Sequence, residues 1–104
     1  MDTLILGNAL IATTPRFIIT SEGTKIMSCR VATKRDDKGE NTNWWTLTAL
    51  GDLADKMYAE LHKGDRLTVI GKPEVRDWES DDRTGTTIEV VAESFYPIRV
   101  SATV

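Results

Sequence analysis

The sequence has few of the residues that crosslink a small protein or carry it into a membrane. Its one cysteine, Cys29, cannot pair within the chain and has no CxxC motif or Cys/His cluster near it, which excludes a disulfide framework and a structural zinc site. No apolar run approaches the roughly 18 residues of a membrane span, and the N-terminus lacks the features of a signal peptide. We therefore expect a soluble, cytoplasmic protein in which Cys29 is buried and reduced.

The sequence also lacks an excess of positive charge and any catalytic motif. Its 13 Lys and Arg residues face 16 Asp and Glu residues, a formal net charge of −3. This balance argues against a protein held to nucleic acid mainly by a broad basic surface, but it leaves binding through base stacking open. The only histidine, His62, has no nucleophile near it, and Gly-rich phosphate-binding motifs are absent. We expect a protein that is not an enzyme and that needs no cofactor or metal.

Short extended runs separated by Gly, Pro, Asn and Asp clusters dominate the chain. Its 104 residues, 40% of them hydrophobic, fit one compact domain over residues 1–104 with a single core. Alternating or apolar stretches bounded by turn residues predict five strands, at residues 3–10, 25–33, 44–50, 67–70 and 86–95. The intervening stretches predict a long turning segment at residues 11–23, an irregular arm at residues 76–78, and a C-terminal extension at residues 99–104.

A single helix is expected between the third and fourth strands. Leu53, Met57 and Leu61 repeat at helical spacing, Asp52 is a plausible N-cap, and Gly64 is a plausible stop. Five strands with one helix after the third is the element order of the OB-fold, a five-stranded Greek-key barrel that binds oligonucleotides or oligosaccharides. We therefore predict an all-β fold with one helix, of the OB type.

Two of the three tryptophans are adjacent in the third predicted strand, so their side chains point to opposite faces. Trp44 shares its face with Thr46 and Thr48, where no apolar stripe continues, and this favours ligand contact over core packing. Trp45 shares its face with Leu47, a pattern that is compatible with ordinary core packing. An exposed indole suits a ligand such as a nucleobase, because every base offers a π-face for stacking.

The stretch "TNWWTLTALGDLADKMYAELHKGDRLTVIGK" combines a Trp at the start of a strand, a Gly-x-Leu-Ala step into a helix, and Lys-Gly-Asp after it. "LGNALIATTP" and "SEGTKIMSCRVAT" precede it, and "VRDW" and "RTGTTIEVVAESF" follow it. In these stretches, over nearly its whole length, the chain resembles the bacterial single-stranded DNA-binding protein (SSB) family. The closing "ESFYPIRVSATV" is most similar to actinobacterial members.

The resemblance implies an OB-fold that binds and protects single-stranded DNA without reading its sequence, in replication, recombination or repair. It also implies a homotetramer acting at the nucleoid, and the uncharged first strand would offer an open edge for pairing with a second copy. Together with the residue pattern, it predicts DNA contacts from Trp44, Trp78, Arg30, Lys34, Arg35, Leu50 and Arg76. Subunit contacts are expected from Leu4 and Leu6. For Trp45 the resemblance implies a subunit contact, which stands equally with core packing.

Several positions depart from the family pattern. Asp37 lies where well-known members carry an aromatic platform, and Leu50 lies where they carry a stacking Phe. Three positions that are often basic in the family are acidic here: Asp52, Glu74 and Asp77. Fewer platforms and less positive charge predict weaker binding or a shorter footprint. The sequence ends at "SATV" without a long linker and acidic tip, so no tail-mediated partner is expected. The alternative hypothesis is a structural OB-fold subunit whose tryptophans serve protein contacts.

Overall fold

The computed structural model describes residues 2–34 and 41–98. In chain order these residues form β1 (Leu4–Ile11), β2 (Arg16–Ile19), β3 (Lys25–Lys34), β4 (Thr42–Leu50), α1 (Asp52–Glu60), β5 (Arg66–Ser80) and β6 (Arg83–Ile98). All five predicted strands and the predicted helix are present. Arg35, Asp37 and the expected extension at residues 99–104 lie outside the described residues.

The strands close into a barrel. Their order is β1-β5-β6-β4-β3-β2, and β1 also pairs with β3 through Leu10 and Ile11, so that the sheet returns on itself. The β4–β6 pair is parallel and the others are antiparallel. A closed, mostly β fold with one helix between its third and fourth long strands is the predicted OB class, which is confirmed.

Strand β2 is a sixth strand, in the segment that the sequence predicts to be a turn. Its four residues pair with β3 in antiparallel register along one edge of the sheet. Phe17 on this strand packs beside Tyr58 of α1, with the ring centroids 5.2 Å apart. A four-residue edge strand offers too few alternating positions to produce a recognisable period, which explains why the sequence does not reveal it.

The core fills the interior of the barrel with alternate residues of the long strands. As the period-two pattern predicts, Met27 and Cys29 of β3 and Leu47 of β4 all face inward. Burial raises the pKa of the Cys29 thiol to about 11. The largest fully buried side chains are Ile11, Met27, Leu47, Met57, Leu67, Val31, Val69 and Val90.

Helix α1 begins one residue earlier than its sequence signal indicates. The N-cap is Gly51, whose φ of 67° favours glycine, and not Asp52, which is the first helical residue. The helix ends at Glu60 with an extended C-cap at Leu61, and Gly64 turns the chain three residues further on. The carboxylate of Asp52 still complements the positive end of the helix dipole.

The arm at residues 76–78 is regular, and the prediction of an irregular segment is wrong. Strand β5 continues through Trp78 to Ser80 and stays paired with β6 as far as Arg83. Every residue from 74 to 80 is exposed. Because both faces of this hairpin meet solvent, no hydrophobic alternation marks it as a strand in the sequence.

Candidate nucleic-acid interface

The outward side chains of β4 lie at the centre of a surface that we call the outer face. Opposed residues in antiparallel strands point to the same side of a sheet, so each β4 residue shares this surface with its β3 partner. The outer face consists of Ile26, Ser28, Arg30 and Ala32 of β3, Trp44, Thr46, Thr48 and Leu50 of β4, Glu74 and Arg76 of β5, and Glu89 and Val91 of β6.

Trp44 lies on the outer face as its parity predicts, and 53% of its surface is exposed. The guanidinium carbon of Arg30 is 5.5 Å from the centroid of its ring, within the range of a cation–π contact. An exposed indole with a cation held beside it is suited to stack on a nucleobase while the cation meets a phosphate.

Trp78 lies on the β5–β6 hairpin and is 42% exposed. Its ring sits on Gly85, its cross-strand partner, where an added Cβ would come within 2.2 Å of Cζ2 of the indole. Because Gly85 has no side chain, one side of the Trp78 ring can pack directly on the opposite strand. Sequence reasoning missed Gly85, because its role depends on the register of a hairpin that the sequence does not mark.

Trp45 points to the opposite side of β4 from Trp44. Its ring is half-buried and packs against the core, and its Nε1 donates a hydrogen bond to Oγ1 of Thr33 at 2.9 Å. The structure thus gives Trp45 a packing role within the subunit. Its predicted part in a subunit contact stays a prediction.

The predicted cations differ in their surroundings. Arg30 and Lys34 are exposed on β3, whereas Arg76 is held by two carboxylates. Its Nη2 lies 3.1 Å from Oε1 of Glu89 and 3.8 Å from Oε2 of Glu74. The positive charge of Arg76 is therefore already balanced within the outer face.

Glu89 is the acidic centre of the outer face and was missed by sequence reasoning. Besides its ion pair with Arg76, it accepts a hydrogen bond from Oγ1 of Thr48 at 3.0 Å. The alternation of β6, with Val90 buried, could have placed Glu89 outward. Its pairing with Arg76 across the hairpin could not be read from the sequence.

A groove crosses the outer face at the end of β4 away from Trp44. Leu50, a predicted contact residue, is half exposed in this groove and lies opposite Ile26 in register. Leu50 is six positions along the strand from Trp44, a span of about 20 Å. The groove is lined by Ile26, Ser28, Thr48, Leu50, Glu74, Arg76, Glu89 and Val91.

The two leucines expected at a subunit contact lie on the inner side of β1. Leu6 is only 4% exposed and belongs to the core, so its side chain is not available to a partner, which corrects that expectation. Leu4 packs against the same core, while Ile5 between them is largely exposed. Among the described residues, β1 pairs with β3 only at Leu10 and Ile11, so its earlier residues leave one backbone edge unpaired.

Within residues 2–34 and 41–98, His, Cys, Asp and Glu side chains nowhere gather in a group of three that could hold a metal ion. The same part of the chain contains no helix with the length and apolar character needed to cross a membrane.

Comparison with known proteins identifies the family. The sequence profile of the single-strand binding protein family matches residues 2–98. Two proteins named single-stranded DNA-binding protein 2, from the Twist and TW08/27 strains of Tropheryma whipplei, are each 34% identical over 99 residues. Each alignment covers 88% of this chain and 65% of the relative, so the chain spans less than two thirds of their length.

Solved structures show the same fold. A small single-stranded DNA-binding protein from Streptomyces coelicolor superposes with a TM-score of 0.78 at 24% identity, covering 94% of this chain and 96% of its own. The SSB domain of a Synechococcus sp. protein gives a TM-score of 0.72 at 13% identity, covering 92% and 94%. Since the family profile extends over all of the described residues, the chain belongs to the single-strand binding protein family.

Proposed function

We propose that this protein binds single-stranded DNA without reading its sequence and protects it during replication, recombination or repair. The observation that carries the proposal is the exposed indole of Trp44 on the outer face, with the Arg30 guanidinium beside it. Stacking on such a platform contributes about 1–3 kcal/mol per base and tolerates any base. Membership of the family supports the same conclusion.

Stacking contributes more to this binding than charge does. The chain has a net charge of −3, and the Arg76 guanidinium is already paired with carboxylates. Arg30 and Lys34 remain as exposed cations along β3, and Arg35 follows them in the sequence. The protein therefore contacts few phosphates, and its affinity falls with salt less steeply than that of a basic protein.

The protein acts by binding rather than by catalysis, without a cofactor, and its DNA ligand places it at the nucleoid in the cytoplasm. It works as a homotetramer, for which the unpaired edge of β1 and the exposed Ile5 supply a contact. Leu4 and Trp45 are partly buried against the core, and their exposed parts add to this subunit contact. Sedimentation equilibrium tests the assembly: four copies are expected, and a monomer at micromolar concentration would contradict it.

One observation favours a second candidate, a structural OB-fold subunit that avoids nucleic acid. Glu74 and Glu89 place two carboxylates in the middle of the outer face, where they repel phosphates. Under this alternative the exposed tryptophans would contact protein and not DNA.

Titration of tryptophan fluorescence with oligo(dT), at low and moderate salt, separates the two candidates. We expect quenching by DNA, and an affinity loss in Trp44→Ala of about 1–3 kcal/mol. Tyr58→Ala, which removes an exposed aromatic ring from α1, is the matched control and should bind like the wild type. An absence of quenching at micromolar protein, or an unchanged affinity in both Trp44→Ala and Trp78→Ala, favours the structural subunit.

A further inference from the structure

We propose that the outer face carries a second, aliphatic DNA subsite at the end of the sheet away from Trp44, an inference that rests on the proposed function. Leu50 is a DNA contact that the family resemblance already predicts. The new part of the subsite is Ile18 and Ile26, which extend its floor onto β2 and β3, and Arg16, which supplies its phosphate contact. A single strand that stacks on Trp44 continues through the groove and reaches this subsite.

The strand register places the three aliphatic side chains in one row. Ile18 of β2 lies opposite Ile26 of β3, and Ile26 lies opposite Leu50 of β4. Partners in antiparallel strands point to the same side of a sheet, so all three belong to the outer face. They form a continuous apolar strip across three strands.

The strip is open to solvent and continuous with the groove of the outer face. Ile18 is 55% exposed and Leu50 is half exposed. A shallow concavity lined by Arg16, Ile18, Ile26 and Ser28 adjoins the groove, and the two share Ile26 and Ser28. Nothing in the described structure therefore separates the strip from the path past Thr48.

Arg16 gives this end of the outer face an available positive charge. It lies opposite Ser28 in the neighbouring row and is exposed. Among the described residues no carboxylate forms an ion pair with Arg16, in contrast to Arg76. A free guanidinium beside an apolar strip matches a nucleotide, whose base or sugar rests on aliphatic carbon while its phosphate meets the cation.

Single-stranded DNA fits the strip better than a second protein copy does. The strip is continuous with the groove of the outer face, and its next row is polar, with Ser28 and Thr48 side by side. Single-stranded DNA alternates apolar bases and sugars with anionic phosphates, so it can contact both the apolar strip and the polar row. A second copy seated on the strip is the competing occupant, and oligomeric state detects it.

The neighbouring residue Ile19 provides a matched control. It is on the same strand and 61% exposed, but the alternation of β2 turns it to the opposite face, across from Lys25. Ile18→Ser and Ile19→Ser remove the same side chain from the same edge strand. Any general effect on β2 should therefore be equal in both variants.

The test is a fluorescence titration with oligo(dT) graded in length from about 4 to about 16 nucleotides, the range of OB-fold site sizes. Short oligonucleotides should bind the wild type and Ile18→Ser alike. For lengths that reach the strip, Ile18→Ser should bind about 3- to 10-fold more weakly, and Ile19→Ser like the wild type. Arg16→Gln should reduce the magnitude of the salt slope for long oligonucleotides by about 0.7.

Three outcomes would overturn the subsite. The first is an equal affinity of Ile18→Ser and Ile19→Ser at every length, and the second is a loss that is the same for short and long oligonucleotides. The third is a change in sedimentation coefficient in Ile18→Ser, which would make the strip a subunit contact. If the wild type binds every length and depends on Trp44 while Ile18→Ser has no effect, only the subsite fails. If no length binds the wild type, the proposed function fails as well.

Discussion

The guanidinium of Arg30 lies over the indole of Trp44, its Cζ 5.5 Å from the ring centroid. The two residues come from neighbouring strands, since Arg30 pairs with Thr46 and Trp44 pairs with Ala32, which makes them diagonal neighbours on the outer face. The ring holds the cation where a phosphate would pass if a base stacked on Trp44. Under the proposed function, a base stacked on Trp44 would therefore bring its phosphate close to Arg30.

Replacing Arg30 with Gln should weaken the salt dependence of DNA binding. Each phosphate that a protein neutralises on a single strand contributes about −0.7 to the slope of log affinity against log salt, so the slope of Arg30→Gln should be shallower by about that amount. Arg30→Lys should retain the wild-type slope because it keeps the charge. Oligo(dT) titrations over a range of salt concentrations measure this, and an unchanged slope in Arg30→Gln would contradict the role.

The carboxylates around Arg76 should suppress its contribution to DNA binding. Because its Nη2 already pairs with Glu89 and Glu74, Arg76→Gln should change the salt slope less than Arg30→Gln does. Glu89→Gln keeps the shape of the side chain and should release Arg76, raising affinity and steepening the slope by up to about 0.7. The same salt titrations measure these changes. Equal slope changes in Arg76→Gln and Arg30→Gln would show that the carboxylates do not suppress the contribution of Arg76.

A methyl group at Gly85 should displace the Trp78 ring from its position against β6. The added Cβ would lie 2.2 Å from the indole, so the ring must move off β6 while the paired strands remain. In a protein that retains Trp78 as its only tryptophan, Gly85→Ala should shift emission to longer wavelength and weaken oligo(dT) binding. Gly7→Ala, on β1 with no atom near the new methyl, is the control. Unchanged emission and affinity in Gly85→Ala would contradict the packing of the Trp78 ring on Gly85.

Burial of Cys29 should make stability depend on pH in the alkaline range. Desolvation raises the pKa of this thiol from 9.0 to about 11 in the folded state, so the unfolded chain loses its proton first. The free energy of unfolding should therefore fall as pH rises from 9.0 towards 11. Urea unfolding across this interval measures it, with Cys29→Ala expected to show a smaller decline. An equal decline in both proteins would contradict the assignment.

Sequence analysis predicted best those strands in which alternate residues are buried, because their apolar side chains recur at every second position. The opposite orientations of Trp44 and Trp45 follow from strand parity, and the inward positions of Met27 and Cys29 follow from the same alternation. Features without a buried face were missed or misjudged. The exposed hairpin around Trp78 has no apolar period, and β2 is too short to show one.

Contacts between distant residues could not be read from the sequence either. The pairing of Arg76 with Glu89 depends on the register of β5 and β6, and so does the packing of Trp78 on Gly85. Sequence analysis therefore placed Trp44 on the exposed face by strand parity, but it treated Arg76 as a free cation. The structure changes the expected electrostatics of the outer face more than its expected aromatic content.

Single-tryptophan proteins test the central claim most directly. One variant keeps only Trp44 (Trp45→Phe with Trp78→Phe), and the other keeps only Trp45 (Trp44→Phe with Trp78→Phe). On titration with oligo(dT), the Trp44 protein should be strongly quenched because a base stacks on the exposed indole. The Trp45 protein, whose indole packs on the core and donates to Thr33, should change little. Quenching of Trp45 without quenching of Trp44 would contradict the account.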